Sequence, residues 1–431
     1  MSTKLTRISQ LSAEREEVVF RQLMHHFDKD SLRDCFSKLG TKSASGSDGI
    51  TKAQYGEQLD DNLDSLVERL KRMAYRPSAV KEVMIPKEGR REAYRPLGIS
   101  NVEDKIVQKR FQEILEAIYE PLFHESSYGF RPNRGCHDAI KALREHLYHH
   151  DTKTVIDLDL SNYFGSIDHE LLMSLLEQKI SDKRFLRYIR RMLKCGILSE
   201  AGFRSSDEGV AQGSICSPVL ANVFAHYVLD DWLEHTVKKN CRANVSWYRY
   251  ADDAVICCDS AEDATRVRRS LQKRLAKFGL ALNQEKTRLV KFDKRDRVGS
   301  GAFDFLGFTF YLGKSRHGRA MPKLKSSGKK LRTKLRNVNQ WCRRYRNQYR
   351  LSELWVQFCR KLQGHVQYYG VSFNSEAVSK FIRKSCCIFL KWINRRSQKQ
   401  SMNFEQFNHY MDLFPPPRVY VVHRLYFYAS V

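Results

Sequence analysis

Trp247-Tyr-Arg-Tyr-Ala-Asp-Asp-Ala-Val-Ile-Cys-Cys258 sets two short apolar, β-prone runs on either side of a polar tip that carries adjacent carboxylates, Asp252 and Asp253. The pattern predicts a tight β-hairpin with acid at its turn. Two readings stand on this stretch alone. Paired carboxylates at a turn hold a metal; equally, Asp is an ordinary turn residue that tolerates the backbone and bonds to its own main chain. A second apolar run upstream, Thr154-Val-Ile-Asp-Leu-Asp-Leu160, ends in Ser-Asn-Tyr-Phe164 and carries Asp159 on the same alternating face as Asp157. If the two strands pair in one sheet, Asp159, Asp252 and Asp253 converge at one edge, which is costly unless divalent cations neutralise them.

Around this centre the chain has 431 residues, too many for one small core, and predicts two or three packed subdomains. Its formal net charge of +26 points to a polyanionic partner. The charge is uneven. Residues 311–431 hold 25 Lys and Arg against 4 Asp and Glu, and 311–350 contain no acid at all. Eleven cysteines without a Cys-x-x-Cys pair argue against structural zinc and for reduced thiols. No run approaches the ~20 apolar residues of a membrane span, so the expectation is a soluble, cytoplasmic protein without a membrane partner.

Residues 1–75 read as polar helices broken by the Gly40–Thr51 loop. Val80–Pro86 is strand-like and leads through a basic turn, Lys87 to Arg95, into Pro96-Leu-Gly-Ile-Ser100. Such a hairpin either reaches over a triphosphate with Lys87 and Arg95 or is a solvated basic turn. Helical spacing runs from Val102 to Pro121, from His137 to His150, from His169 to Leu198, and from the Gly209–Pro218 loop through Trp232. Beyond a helix at Ala261–Phe278, Phe303–Phe310 alternates as a hairpin strand. The basic C-terminal third reads as helical. Leu331, Leu335, Val338, Trp341, Tyr345 and Tyr349 form one face. Ser352 and Asn374 stand as N-caps of two more helices, and Pro415-Pro-Pro417 stops helix in the tail.

These stretches together resemble bacterial group II intron reverse transcriptases of the maturase type. The resemblance runs in family order through Gly46-Ser-Asp-Gly-Ile-Thr51, Tyr75-Arg-Pro, Arg95-Pro-Leu-Gly-Ile, Tyr128-Gly-Phe-Arg-Pro, the Asp159 strand and Gln212-Gly. It continues through Ser217-Pro, Tyr250-Ala-Asp-Asp, Leu282-Asn, Glu285-Lys-Thr, Phe305-Leu-Gly-Phe and Gly364-His-Val-Gln-Tyr-Tyr369. It implies an α+β right-hand polymerase fold: fingers and palm with a small antiparallel sheet, then an all-helical thumb. The implied domains are an N-terminal extension with a template-side loop (1–75), fingers and palm (76–311), a basic helical thumb or maturase-like domain (312–400) and a short tail (401–431) without an endonuclease domain.

The function implied is RNA-directed DNA polymerisation with a maturase role in intron splicing and mobility. Asp159 and Asp252 would bind two Mg²⁺ ions, for which Mn²⁺ substitutes, with Asp253 in support; Asp157 matches no catalytic position. Phe164 takes the place of the ring that excludes a ribose 2′-hydroxyl. Lys87 and Arg95 match the triphosphate-contacting cations, Gln212 and Gly213 the template loop, and Lys286 the general acid toward pyrophosphate. Phe305, Leu306, Gly307 and Phe308 match the primer grip, and the charge map assigns RNA binding to Arg343, Arg344 and Arg346. The partners implied are an RNA template, structured intron RNA included, a DNA or RNA primer, and deoxynucleoside triphosphates.

The chain departs from the family at Gly165, where an acid is common, and at Ala211 and Ser214, where Pro-Gln-Gly-Gly is usual. A second reading keeps the chemistry but makes the protein a stand-alone or retron-like enzyme of phage defence or DNA repair. Leu280-Ala-Leu-Asn283 lacks the Val-Thr-Gly signature of retron enzymes.

Overall fold

A computed structural model of the chain describes residues 3–15, 17–86, 94–200, 202–205, 208–398 and 401–425. Helices α1 (Thr3–Glu14), α2 (Lys29–Lys38), α3 (Lys52–Glu57) and α4 (Leu59–Lys71) occupy the N-terminal stretch. Their starts follow from local chemistry. The Asp28 carboxylate accepts from Ser31 N–H, and Thr51 with Gln54 closes a reciprocal capping box.

β1 (Val80–Pro86) and β2 (Tyr94–Ile99) pair antiparallel, with Lys81 opposite Ile99 and Pro86 opposite Tyr94. In α5 (Val102–Tyr119), Ile106, Phe111, Ile114, Leu115 and Ile118 are all buried, as their spacing requires, and the helix ends before Pro121. There follow α6 (Cys136–His149), β3 (Thr154–Asp159), α7 (His169–Glu177), α8 (Lys183–Leu193), β4 (Ile197–Ser199) and β5 (Gly202–Arg204). The helix expected from the Gly209–Pro218 loop through Trp232 starts as α9 (Ser217–Ala225). It then widens into π-helical turns over His226–Asp230 and Trp232–Val237 before α10 (Lys238–Asn240). The predicted hairpin is β6 (Val245–Tyr250) and β7 (Asp253–Cys258), followed by α11 (Ala261–Ala276) and β8 (Arg288–Lys291).

Further on lie β9 (Ala302–Phe305), β10 (Phe308–Lys314) and β11 (Ala320–Ser326), then α12 (Gly328–Tyr345), α13 (Leu351–Tyr369), α14 (Ser375–Ile393) and α15 (Phe404–Leu413). Here the expectation of an all-helical segment from residue 312 is corrected. β10 and β11 run antiparallel from Phe308 opposite Ser326 to Lys314 opposite Ala320. The reason is period: Pro322, Leu324 and Ser326 are buried in alternation, with Lys323 and Lys325 between them. The aromatic face expected to continue through Tyr349 leaves the helix at Tyr345, and Tyr349 belongs to the connection before α13. Asn374 does precede α14, but its side chain caps nothing; it bonds instead to Ser326 and to the Tyr369 carbonyl.

Two compact units make up the chain, residues 1–139, 158–256 and 262–288 in one, and 140–157, 257–261 and 289–431 in the other. The first holds a four-stranded sheet of order β2-β1-β4-β5 and an aromatic core in which Phe111 lies 4.7 Å from Phe27 and 4.6 Å from Phe185. The second holds the three-stranded sheet β11-β10-β9 and a helical core around Phe389, 5.1 Å from Trp355 and 4.7 Å from Phe358. A further sheet has the order β6-β7-β3-β8, so β7 and β3, the strands that carry the acidic ends, are neighbours. Among the described residues no helix is long and apolar enough to cross a membrane.

Candidate active site

β3 delivers Asp159 at its end because Val155, Ile156 and Leu158 bury the strand and fix its register. The turn over Leu282–Thr287 then grips that end. Asn283 N–H donates to the Asp159 carbonyl at 2.9 Å, and Asp159 N–H reaches Thr287 Oγ1 at 3.4 Å. Lys286 Nζ donates to both Asp159 carboxylate oxygens, at 2.7 and 3.0 Å. Lys286 is the residue expected as general acid toward pyrophosphate, and its amine here engages the Asp159 carboxylate.

The β6–β7 turn is Ala251–Asp252, and Ala251 takes a left-handed backbone with φ 57°. Its tightness depends on Gly129: a Cβ there would fall 2.2 Å from the Ala251 amide nitrogen, so Tyr128-Gly-Phe must carry glycine to let the two backbones touch. At the tip the Asp252 side chain reaches solvent, yet the protein crowded around it and the charge of Asp159 raise its carboxyl above the ordinary value, while Lys286 and Arg249 pull the other way.

Asp159 ends β3 and Asp252 lies at the β6–β7 turn, and β3 and β7 are neighbours in one sheet. Among the described residues no group of three His, Cys, Asp or Glu is placed to hold a metal ion. The charge of Asp159 bears on Asp252, and Asp253 opens β7 beside it, half-buried. The pair still suits a hard divalent cation: the donors are carboxylate oxygens, and the Lys286 ammonium already sits where positive charge is wanted.

Behind the tip lies a buried network that the sequence reading missed. Arg249 is 1% exposed, and its guanidinium donates to both Asp230 oxygens, to Asn222 Oδ1 and the Ala251 carbonyl at 3.1 Å each, and to Ser127 Oγ at 2.7 Å. Asn222 Nδ2 in turn donates to the Gly129 carbonyl at 2.7 Å. Burial pulls the Arg249 guanidinium downward, but the Asp230 carboxylate overrides it and holds the guanidinium above its ordinary value. Asp230 occupies the last position of the first π-helical stretch. The signal was legible: Val245, Trp247 and Arg249 share the buried phase of β6, so a charged residue stands where the alternation calls for an apolar one.

Phe164 lies in a short 3-10 turn, Tyr163–Ser166, and is half-exposed rather than core, edge-on to Phe130 at 6.2 Å and Tyr163 at 5.6 Å. The Gly209–Cys216 loop is tied to it: Val210 N–H donates to the Phe164 carbonyl at 2.8 Å, and Gly98 N–H on β2 donates to the Gln212 carbonyl at 2.6 Å. Gln212 is half-buried and Gly213 exposed; with Pro96, Asn162 and Gly165, Gln212 lines a cavity of about 370 Å³. At Gly165, where the chain departs from the family, a Cβ would meet only the end of the exposed Asn162 side chain, at 2.5 Å. Arg95 is exposed on β2 opposite Ile85, and Lys87 lies outside the described residues.

In the second unit, Phe305 and Phe308 are buried core rings, Phe308 lying 5.2 Å from Tyr369. Only the Leu306–Gly307 turn of the expected grip is at the surface of the hairpin, and Tyr368 Oη donates to the Leu306 carbonyl at 2.8 Å. Arg343 and Arg344 are exposed at the end of α12. Arg346 is not deployed outward: it donates to the Arg343 and Arg395 carbonyls at 2.7 and 3.2 Å and lies over Trp392.

The model of the family described as reverse transcriptase (RNA-dependent DNA polymerase) matches residues 85–310, more than half of the chain. The chain belongs to the reverse transcriptase family. The match spans the Asp159 strand, the template loop, the Asp252 hairpin and Lys286. Protein YkfC of Escherichia coli strain K12 is 32% identical over 303 residues, 63% of this chain and 77% of that protein. The group II intron-encoded protein LtrA of Lactococcus lactis subsp. cremoris is 32% identical over 223 residues, 52% of this chain but only 37% of LtrA. Nuclear intron maturase 1, mitochondrial, of Arabidopsis thaliana is 28% identical over 92 residues, 21% of this chain and 13% of its own length. The relatives named for introns are each matched over less than half of their own length. The reverse transcriptase family works with divalent metal ions, an RNA template and nucleotides, and its domain is one of right-hand polymerase fold built here from helices and small sheets.

Proposed function

We propose that this reverse transcriptase copies RNA into DNA at the Asp159–Asp252 pair and also binds intron RNA as a maturase. The carrying observation is that two carboxylates, Asp159 at the end of β3 and Asp252 at the β6–β7 turn, come from neighbouring strands, with Asp159 clasped by Lys286. Two divalent ions, Mg²⁺ or Mn²⁺ in its place, supply activation of the primer 3′-hydroxyl and neutralisation of the leaving pyrophosphate when bound there. The chain's own groups set the stage for that chemistry. Asp159 and Asp252 furnish the oxygens, Asp253 supports them, and Lys286 balances Asp159. Gln212 and Gly213 border the nascent pair, and Arg95, with Lys87, draws in the triphosphate. In this reading residues 76–311 are fingers and palm, and the thumb is the helical part of 312–400, preceded by β11. The Leu306–Gly307 turn meets the primer. The intron names of the relatives favour intron biology over a retron-like role. The direct test is extension of a DNA primer on an RNA template with Mg²⁺ and deoxynucleotides; absence of product would remove the polymerase reading.

The steric role of Phe164 is open to a separate test. Phe164→Val is expected to reduce the preference for deoxy- over ribonucleotides roughly 10–200-fold, the range that a change of side-chain volume in a pocket commands. Single-nucleotide incorporation kinetics measure it, and an unchanged ratio would take Phe164 out of the gate.

Phosphate contacts set affinity and its salt dependence. Neutralising Arg343 and Arg344 with Gln is expected to flatten the log–log salt slope of RNA binding by roughly 0.7–0.9 per charge that meets phosphate. Arg346→Gln is expected to leave the slope unchanged, since that guanidinium is spent on carbonyls. Titration at several salt concentrations separates the two outcomes.

A further inference from the structure

The second unit carries a cavity of about 460 Å³ lined by Trp341, Tyr345, Tyr349, Gln357, Arg360 and Lys361, within the ~300–1,000 Å³ of ordinary ligand sites. We propose that it holds an unpaired nucleotide of bound RNA, stacking the base on the aromatic rings, reading its edge with Gln357 and meeting its phosphate with Arg360 and Lys361. The proposal rests on the RNA-binding reading of this unit and adds to it a preference for exposed bases.

Three observations carry it. First, Trp341, Tyr345 and Tyr349 form a staggered row, with centroids 5.5 and 5.9 Å apart and planes tilted by 38° and 34°. All three are half-exposed, whereas the rings of the helical core, Trp355, Phe358 and Phe389, are buried. A row that only packed the bundle would be as deeply covered as they are. Second, the row is held in place before any ligand arrives. Trp341 lies on Phe358, and the connection that carries Tyr349 is pinned by Arg396 Nη2, which donates to the Tyr349 carbonyl at 2.8 Å. Third, the surroundings are cationic. Lys361 Nζ stands 5.2 Å from the centre of the Trp341 ring and the Arg344 guanidinium 5.4 Å from that of Tyr345. No acid lines the cavity, and none occurs in residues 311–350.

Aromatic faces with adjoining cations recognise single strands, because every base has a π face and every nucleotide a phosphate. A duplex hides those faces inside its own stack. The occupant is therefore an unstacked base in a loop, bulge or end rather than paired RNA.

The test measures binding of the full chain to a short single-stranded RNA and to the same strand carrying a run of abasic residues, which keeps the phosphates and removes the bases. The expected result is an affinity roughly five- to a hundredfold higher for the base-bearing strand. The Trp341→Leu and Tyr345→Leu double variant should lose that difference while its salt slope stays that of the original chain. Tyr345→Phe, which keeps the ring, should retain it, and cooperative unfolding followed by circular dichroism checks that the double variant folds. Equal affinity for the two strands in the original chain overturns the pocket. So does a difference that persists in the folded double variant, which would place base recognition elsewhere. If neither strand binds the original chain, the RNA-binding reading itself fails, an outcome distinct from both.

Discussion

An Asp252→Asn chain is expected to lose RNA-templated primer extension by on the order of 10³ or more, the scale on which removal of one charge-stabilising group acts. The change keeps the size and turn-forming ability of the side chain but removes its charge, and it leaves the buried Arg249 network in place. Affinity for RNA should hold, because that affinity comes from cations, above all those of residues 311–431. Asp159→Asn should act as strongly and would also release Lys286, which is now bonded to that carboxylate at 2.7 Å. Steady-state extension read beside RNA binding decides the matter. Asp252→Asn with extension close to that of the original chain would sink the assignment of this pair to the chemistry.

The second large effect is expected on stability. Arg249→Met should destabilise the protein by about 3–5 kcal/mol, because it leaves Asp230, fully buried, as a charge without its partner. The loss has structural reach: one guanidinium ties the π-helical stretch through Asp230, α9 through Asn222, Ser127 and the strained Ala251 carbonyl at the catalytic turn. Arg249→Lys keeps a charge but cannot make these bonds together, since an ammonium lacks the planar fork. It should fold with an intermediate loss and reduced extension. Urea unfolding gives the stability difference as a shift in midpoint at unchanged slope. A loss below about 1 kcal/mol for Arg249→Met would mean that the network is not what holds the turn.

The sequence by itself determined the strand and hairpin that bear Asp159 and Asp252, because short apolar, β-prone runs around a polar tip point to them. It determined α5 from its apolar spacing, the family from motifs in order, and the position of the positive charge. Two things waited for tertiary structure, each for a physical reason. Lys286 and Asp159 are 127 positions apart, and only the folded turn over Leu282–Thr287 brings the amine onto the carboxylate. Phe305 and Phe308 carry a motif that reads as a grip, but burial turns their rings into core and leaves the Leu306–Gly307 turn outside. Local pattern fixes which elements form; which side chains meet is settled by the packing of segments far apart in the chain.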